Sequence, residues 1–373
     1  MDGDAMNPVA ANEGTPRAMG YRMPAEWEPH EATWLAWPHN PEDWPGKFQP
    51  IPWLYAEIVR LLAERERVQI AVEDKRAAQR VRRMLERAGA DLEQVGLHTW
   101  PTDRSWTRDT GPIFVRGGGG KVAVTNWRFN GWAKYENCEK DDRLPERVAG
   151  LLGMREWRPE IAREGGAAHR VVLEGGSIDT NGQGTLLTTE ECLLSEVQQR
   201  NPGVSREQLE RVFSDYLGID KVLWLGHGIA GDDTHGHVDD MTRFVARDTI
   251  ATCVEPDVRD ANHAPLAENL LRLKAARTGD GKQYTIVELP MPRPVVFSGQ
   301  RLPASYANFY IANGLVLVPT FHDPNDRVAL NLIAECFPEH EVVGIHAVDL
   351  VWGLGTLHCM TQQQPAANDS VSS

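Results

Sequence analysis

One order of secondary-structure signals recurs along this chain: strand, strand, helix, strand. It returns at spacings of roughly 60–80 residues, longer than ordinary solenoid periods, and so predicts a closed ring of α/β repeats. Apolar periodicity carries the pattern. Leu54, Ile58, Leu61 and Leu62 fall on one face and predict a helix over 53–66. An earlier strand spans 32–37; strand 68–72, helix 75–88 closed by Gly89 and strand 95–100 come after. Strands 113–116 and 121–127 precede a helix over 144–152, then a short strand, 171–173. A hairpin over 178–189 turns at Asn181-Gly182. Helix 205–217 carries Ser205 as its N-cap, with Glu207 behind it. The order then repeats through strands 222–225, 244–245 and 249–254, helix 265–276, strands 284–289, 308–312 and 315–319, helix 328–336 and strand 341–346. An apolar run over 345–352 reads as a last buried strand, after which Gly353 and Gly355 allow a turn where a side chain would clash.

The chain has 373 residues and is 41% hydrophobic, enough for a large core. No apolar run reaches the ~20 residues that a bilayer requires. Residues 1–20 are polar, lack the apolar stretch of an export signal and read as a loose tail, as do 366–373. Between them, 21–365 is expected to form a single catalytic domain. The five cysteines, Cys138, Cys192, Cys253, Cys336 and Cys359, are odd in number and widely separated. That pattern fits neither a disulfide framework nor a structural zinc site, and it points to a reducing cytoplasm. A net charge of −14 disfavours nucleic acid and anionic membrane as partners and suits a small cationic ligand. A homo-oligomer stays open.

Ionisable residues sit at strand ends beside glycines: Asp109 in Trp106-Thr107-Arg108-Asp109-Thr110-Gly111, Glu174 before Gly175-Gly176, His237 with Asp239, and Cys359 after His358. Strand ends converging from separate repeats are a common way to build a site. Taken singly, each has a plainer reading: Asp109 as a turn residue paired with Arg108, Cys359 as a buried small hydrophobe. Together they suit attack on a planar cationic carbon. Carboxylates clamp guanidinium N–H groups, a thiolate attacks, and a histidine protonates the departing ammonia. His235-Gly236-His237, with His227 and several aspartates, offers a competing reading as a zinc or manganese site of a hydrolase, because alternate residues of a strand share one face. The tryptophans Trp27, Trp34, Trp37 and Trp44 are expected to pack as core or pocket wall.

The chain resembles the agmatine deiminases and the related bacterial-type peptidylarginine deiminases. The resemblance rests on residues 23–31 (Met-Pro-Ala-Glu-Trp-Glu-Pro-His-Glu), 106–112, 129–132, 174–177, 236–239, 304–310 and 358–365 (His-Cys-Met-Thr-Gln-Gln-Gln-Pro). It implies a pentein fold, an α/β-propeller with a pseudo-fivefold arrangement of ββαβ units. It also implies hydrolysis of agmatine to N-carbamoylputrescine and ammonia through a covalent amidino-thioether, with no cofactor and no metal. In that scheme Cys359 is the nucleophile and His237 the general acid/base. Asp109 and Asp239 grip the guanidinium, and Glu174 orients His237. Trp106 and Trp132 are expected along the substrate's alkyl chain, and His235 near its far end. The chain departs from the agmatine pattern at 37–44, 133–138 and His235, which leaves another guanidino compound or a peptidyl arginine as an alternative substrate.

Overall fold

The computed structural model describes residues 14–161 and 168–367. No helix among them is long and apolar enough to cross a membrane. The repeated order predicted above is present. Five three- or four-stranded sheets share one plan: an antiparallel pair, then a helical crossover to a third strand that pairs in parallel. Ile113–Arg116 and Val122–Thr125 pair antiparallel, and helix Leu144–Leu152 leads to Glu156–Trp157. Asp179–Thr180 and Thr185–Thr189 are followed by helix Arg206–Leu217 and Lys221–Leu225. Thr242–Ala246 and Thr249–Val254 precede helix His263–Ala275 and Thr285–Pro290. Tyr310–Ala312 and Leu315–Thr320 precede helix Asn325–Cys336 and Glu341–His346.

The remaining sheet joins the two ends of the chain. His30–Ala36 pairs antiparallel with Gln362–Pro365, Thr33 opposite Gln363, and parallel with Arg67–Val72, which in turn pairs with Val95–Thr99. Helices Ile51–Ala63 and Lys75–Ala88 make its crossovers. His30–Ala36 is buried at every position but one, as expected of a strand covered on both faces. The Trp34 indole donates to Gln364 Oε1 at 2.9 Å, fixing the first strand to the last from inside the protein.

Several expectations are corrected. Residues 347–352 are not a strand: Glu341–His346 ends, the chain turns, and Leu350–Gly353 forms a 3₁₀ turn. Asp109 lies on a one-turn helix, Thr107–Thr110, not in a loop. The reciprocal partner of the Ser205 cap is Gln208, not Glu207. Part of the expected N-terminal tail packs: Arg17–Met19 is a 3₁₀ turn, and Arg17 donates to Ser214 Oγ and the Ile219 carbonyl at 2.8 and 3.0 Å. Residues 1–13 of that tail, and all but Ala366 and Ala367 of the C-terminal one, lie outside the described residues.

The 3₁₀ turn brings the chain to Cys359 across a floor of indoles. Trp44, fully buried, donates to the Leu350 carbonyl at 2.9 Å and packs 5.3 Å from the Trp106 ring. A Cβ on Gly353 would stand 2.5 Å from Trp44 Nε1, and one on Gly355 2.9 Å from the Trp106 ring. The left-handed conformation that completes the turn falls instead on Leu354, at φ 69°. Gly353→Ala is therefore expected to lower stability by about 1–3 kcal/mol, the usual cost of overpacking a tight core. A urea unfolding midpoint that does not move would show that Trp44 and Trp106 yield freely.

Candidate active site

In each of the five sheets, the segment just before one strand of the antiparallel pair contributes to one cluster. Thr107–Thr110 carries Asp109, Gly175–Ser177 follows Glu174, and Val238–Asp240 follows His237 and carries Asp239. Asn308 precedes Tyr310–Ala312, and Cys359 precedes Gln362–Pro365. The site residues thus sit where the chain enters a sheet rather than where it leaves one, and a fifth segment joins the expected four.

His237 is the centre. Its buried ring lies 3.8 Å from Asp109 Oδ1, 3.8 Å from Glu174 Oε2 and 4.0 Å from Asp239 Oδ1. Among the described residues, neither ring nitrogen, nor Glu174 Oε2, nor Asp239 Oδ1, has a hydrogen-bond partner. Buried polar atoms of this kind are costly unless a ligand meets them. The approach depends on Gly176, where a Cβ would stand 2.6 Å from His237 Nδ1 and 2.8 Å from Asp109 Oδ1. The Gly176 amide instead donates to Asp109 Oδ1 at 3.0 Å, and the Trp132 indole to Oδ2 at 2.8 Å.

Each carboxylate is tuned differently. Burial, helped by the Asp239 and Glu174 charges, pushes Asp109 up to about 6 against the pull of His237. Burial would also raise Glu174, but Arg200, at 2.9 Å from Nε to Oε1, and His237 outweigh it and hold it at about 2. Burial opposes a charged His237; the Asp109 charge foremost, with Glu174 and Cys192, raises it well above the usual imidazole range. Burial likewise works against an ionised Asp239, but the His358 ring, 2.6 Å from Oδ2, holds it below the ordinary value. Its neighbour Asp240 is driven well upward by burial and by Asp239.

Cys359 Sγ lies 3.8 Å from Asp239 Oδ2 and accepts from Asn308 Nδ2 at 3.1 Å. Asn308 Nδ2 also reaches Asp240 Oδ1 at 2.9 Å, so one amide aligns both groups. Burial, then the charges of Asp239, Asp240 and Asp109, push the thiol well above its ordinary value. A neighbouring cation would reverse the charge part of that shift.

Cys359 and Asp109 line a cavity of about 430 Å³. Trp106 and Trp132 also line it. At its rim Arg104 reaches Asp43 at 2.5 Å and its guanidinium carbon lies 4.2 Å from the Tyr135 ring centroid. Asp233 accepts from the Tyr135 hydroxyl at 2.7 Å and pairs with Lys134.

His235 is not in this cavity. Its backbone is left-handed, at φ 65°, and its ring turns to Ser195 Oγ at 3.2 Å and Glu191 at 3.9 Å. Asp233 and Thr234 of the same segment line the cavity instead. The segment is irregular rather than a strand, so His235 and His237 share no face and meet different partners. Among the described residues, His235 also stands outside the two clusters whose donor atoms lie close enough to share an ion, Glu174–Cys192–His237 and Asp239–Asp240–Cys359. Arg108 pairs with Glu26, not with Asp109.

Sequence reasoning missed Asn308, Arg200 and the pair Glu26–His358 as parts of the site. Asn308, Glu26 and His358 lie inside the blocks that carry the family resemblance; Arg200 had no local signal.

The chain is 36% identical over 375 residues to an agmatine deiminase of Ectopseudomonas mendocina, covering 94% of this chain and 97% of that one. The solved agmatine deiminase of Enterococcus faecalis superposes with a TM-score of 0.86 at 32% identity, covering 96% and 99%. That of C. jejuni superposes with a TM-score of 0.78 at 26% identity, covering 92% and 96%. The model of one family matches residues 22–365, nearly the whole described chain, and the protein belongs to that family, the Porphyromonas-type peptidyl-arginine deiminases.

Proposed function

We propose that this protein is a hydrolytic guanidine deiminase whose first substrate is agmatine. The observation that carries the proposal is the buried His237 ring, set within 4.0 Å of three carboxylates in the cluster that also holds the Cys359 thiol. Asp109 and Asp239 take the N–H groups of the guanidinium, whose charge offsets theirs. The bound cation favours the Cys359 thiolate: the thiol gives up its proton to solvent as the cation enters, and the thiolate attacks the guanidinium carbon. The bond to one terminal nitrogen breaks, and ammonia departs with a proton from His237. An amidino-thioether remains. His237 then takes a proton from water, the hydroxide adds to the same carbon, and the C–S bond breaks to return the thiolate while the added hydroxyl sheds its proton to solvent and becomes the carbonyl. The product is the ureido compound N-carbamoylputrescine. Glu174, anchored by Arg200, keeps the imidazole in register. Neither the H-x-H spacing nor the placement of His235 supports a metal hydrolase built on His235.

The alkyl chain lies between Trp106 and Trp132, and its terminal ammonium reaches Asp233. A second reading has an observation in its favour: Arg104 lines the cavity and Lys134 already pairs with Asp233. Those cations suit a guanidino substrate that carries a carboxylate beside its amine, such as arginine. The five like sheets, with the chain ends joined in one of them, support a pentein α/β-propeller of pseudo-fivefold order.

Ammonia release from chelator-treated protein decides the substrate. Agmatine, free arginine and a blocked arginine peptide are compared side by side. Turnover of agmatine above the others is expected. Preference for arginine would transfer the rim to the second reading, and dependence on restored metal would overturn the mechanism. Cys359→Ala should release no ammonia. His237→Ala should lose at least the ~10²–10⁴-fold that general acid–base catalysis supplies, whereas His235→Ala should retain most of the rate. The pH profile follows from Asp109. Ionised above about 6, it grips the cation; protonated below, it does not. kcat/KM should fall as pH drops through 6, and an acid limb that survives unchanged in Asp109→Asn would assign the titration to another group.

A further inference from the structure

We propose that His358 is a positioning residue: an imidazolium clamped between Glu26 and Asp239, which holds the Asp239 carboxylate in place beside Cys359. The proposal deepens the reading above, in which Asp239 grips the substrate.

His358 Nδ1 lies 2.6 Å from Asp239 Oδ2, and Nε2 lies 2.7 Å from Glu26 Oε2. All three side chains are at most 3% exposed, so water does not compete. An ionised carboxylate only accepts hydrogen bonds. A ring bonded to a carboxylate at each nitrogen donates from both, and a ring that donates from both carries a positive charge. The alternative puts the proton on one of the acids. Glu26 is poorly placed to take it: Oε2 also receives Arg243 Nη2 at 2.8 Å, with Arg108 Nη2 at 3.4 Å, and Oε1 receives the Ile311 amide at 2.8 Å. Burial would favour a neutral Glu26, yet Arg243, His358 and Arg108 together hold it well below the usual carboxylate range.

The consequence falls on Asp239. With Oδ2 tied to His358, Oδ1 is the oxygen left facing His237, and this buried atom has no hydrogen-bond partner among the described residues. His358 therefore decides which oxygen is offered to a substrate N–H. Its own backbone is fixed: the amide donates to Asn308 Oδ1 at 3.1 Å, and the carbonyl accepts Arg108 Nε at 3.3 Å. The same turn thus sends His358 to the acid and presents Cys359 to the cavity. Glu26, in the Met23–Glu31 stretch noted in the sequence, acquires a role as the far jaw of the clamp.

Two measurements test this. Long-range ¹H–¹⁵N spectra of the histidine-labelled wild-type protein at neutral pH should show both His358 nitrogens protonated, the resonances being identified by their loss in His358→Gln. A neutral tautomer would overturn the proposal. This readout is taken on unliganded protein, so it stands or falls apart from whether any guanidino compound turns over. In the assay, His358→Gln should lower kcat/KM about 10–100-fold, the usual weight of a group that orients a site residue. Glu26→Gln should act in the same direction. The double variant should lose less than the product of the two, because both act through one carboxylate. Multiplying losses, or a wild-type kcat/KM in His358→Gln, would refute the clamp.

Discussion

Buried negative charge is the constraint on which this structure depends. Glu26, Asp109, Glu174, Asp239 and Asp240 are all buried, and an isolated buried carboxylate costs several kcal/mol. The protein answers in two ways. Glu174 and Glu26 receive guanidinium groups from behind, Arg200 and Arg243, and stay ionised. Asp109 and Asp240 receive no such partner and shift upward instead. The division has chemical meaning. A carboxylate already neutralised by arginine is a rigid support. A carboxylate left short of positive charge is one that a cationic ligand can bind. Asp109, with two fixed donors from Gly176 and Trp132 and no buried cation of its own beyond His237, belongs to the second kind.

Geometry enforces this division. Each contributing segment stands immediately before a strand of an antiparallel pair, so the strand's hydrogen bonds anchor it on one side only. The other side is irregular, and irregular backbone can bring several side chains within 4.0 Å of one ring. Glycine is needed where that crowding is greatest, at Gly176, because its backbone passes closer to His237 and Asp109 than any Cβ permits. Below the thiol, packing rather than charge does the positioning: Trp44 and Trp106 fill the space that Gly353 and Gly355 leave.

Much of this was legible in the sequence. Helices 75–88 and 144–152 were read with their observed bounds because amphipathic periodicity and a terminal glycine are local signals. Cys359, His237, Glu174, Asp109 and Asp239 were legible as a set because reactive residue types beside glycines are rare. The misreadings share a cause. His235 was placed by the spacing of a strand, but the segment is irregular, and a left-handed residue turns its side chain away from its neighbour's face. The apolar run 347–352 looked like a strand because burial, not strand pairing, made it apolar. Arg200 and Asn308 act across the fold, 26 and 51 residues from Glu174 and Cys359, and no local pattern announces a long-range partner.

The same charge balance links recognition to reactivity. Asp239, Asp240 and Asp109 together disfavour the Cys359 thiolate, on top of burial. Each pKa unit that a bound cation removes from that shift is about 1.4 kcal/mol toward the reactive form. In the proposed mechanism, a guanidinium between Asp109 and Asp239 would supply the charge at the spot where the acids raise the thiol. A neutral ligand of the same shape would leave the thiol protonated, and an anion would raise it further. Discrimination among ligands thus acts on the nucleophile itself as well as on binding. It requires that the acids be held in place without being fully neutralised, which is the arrangement that Arg200 behind Glu174 and His358 beside Asp239 provide.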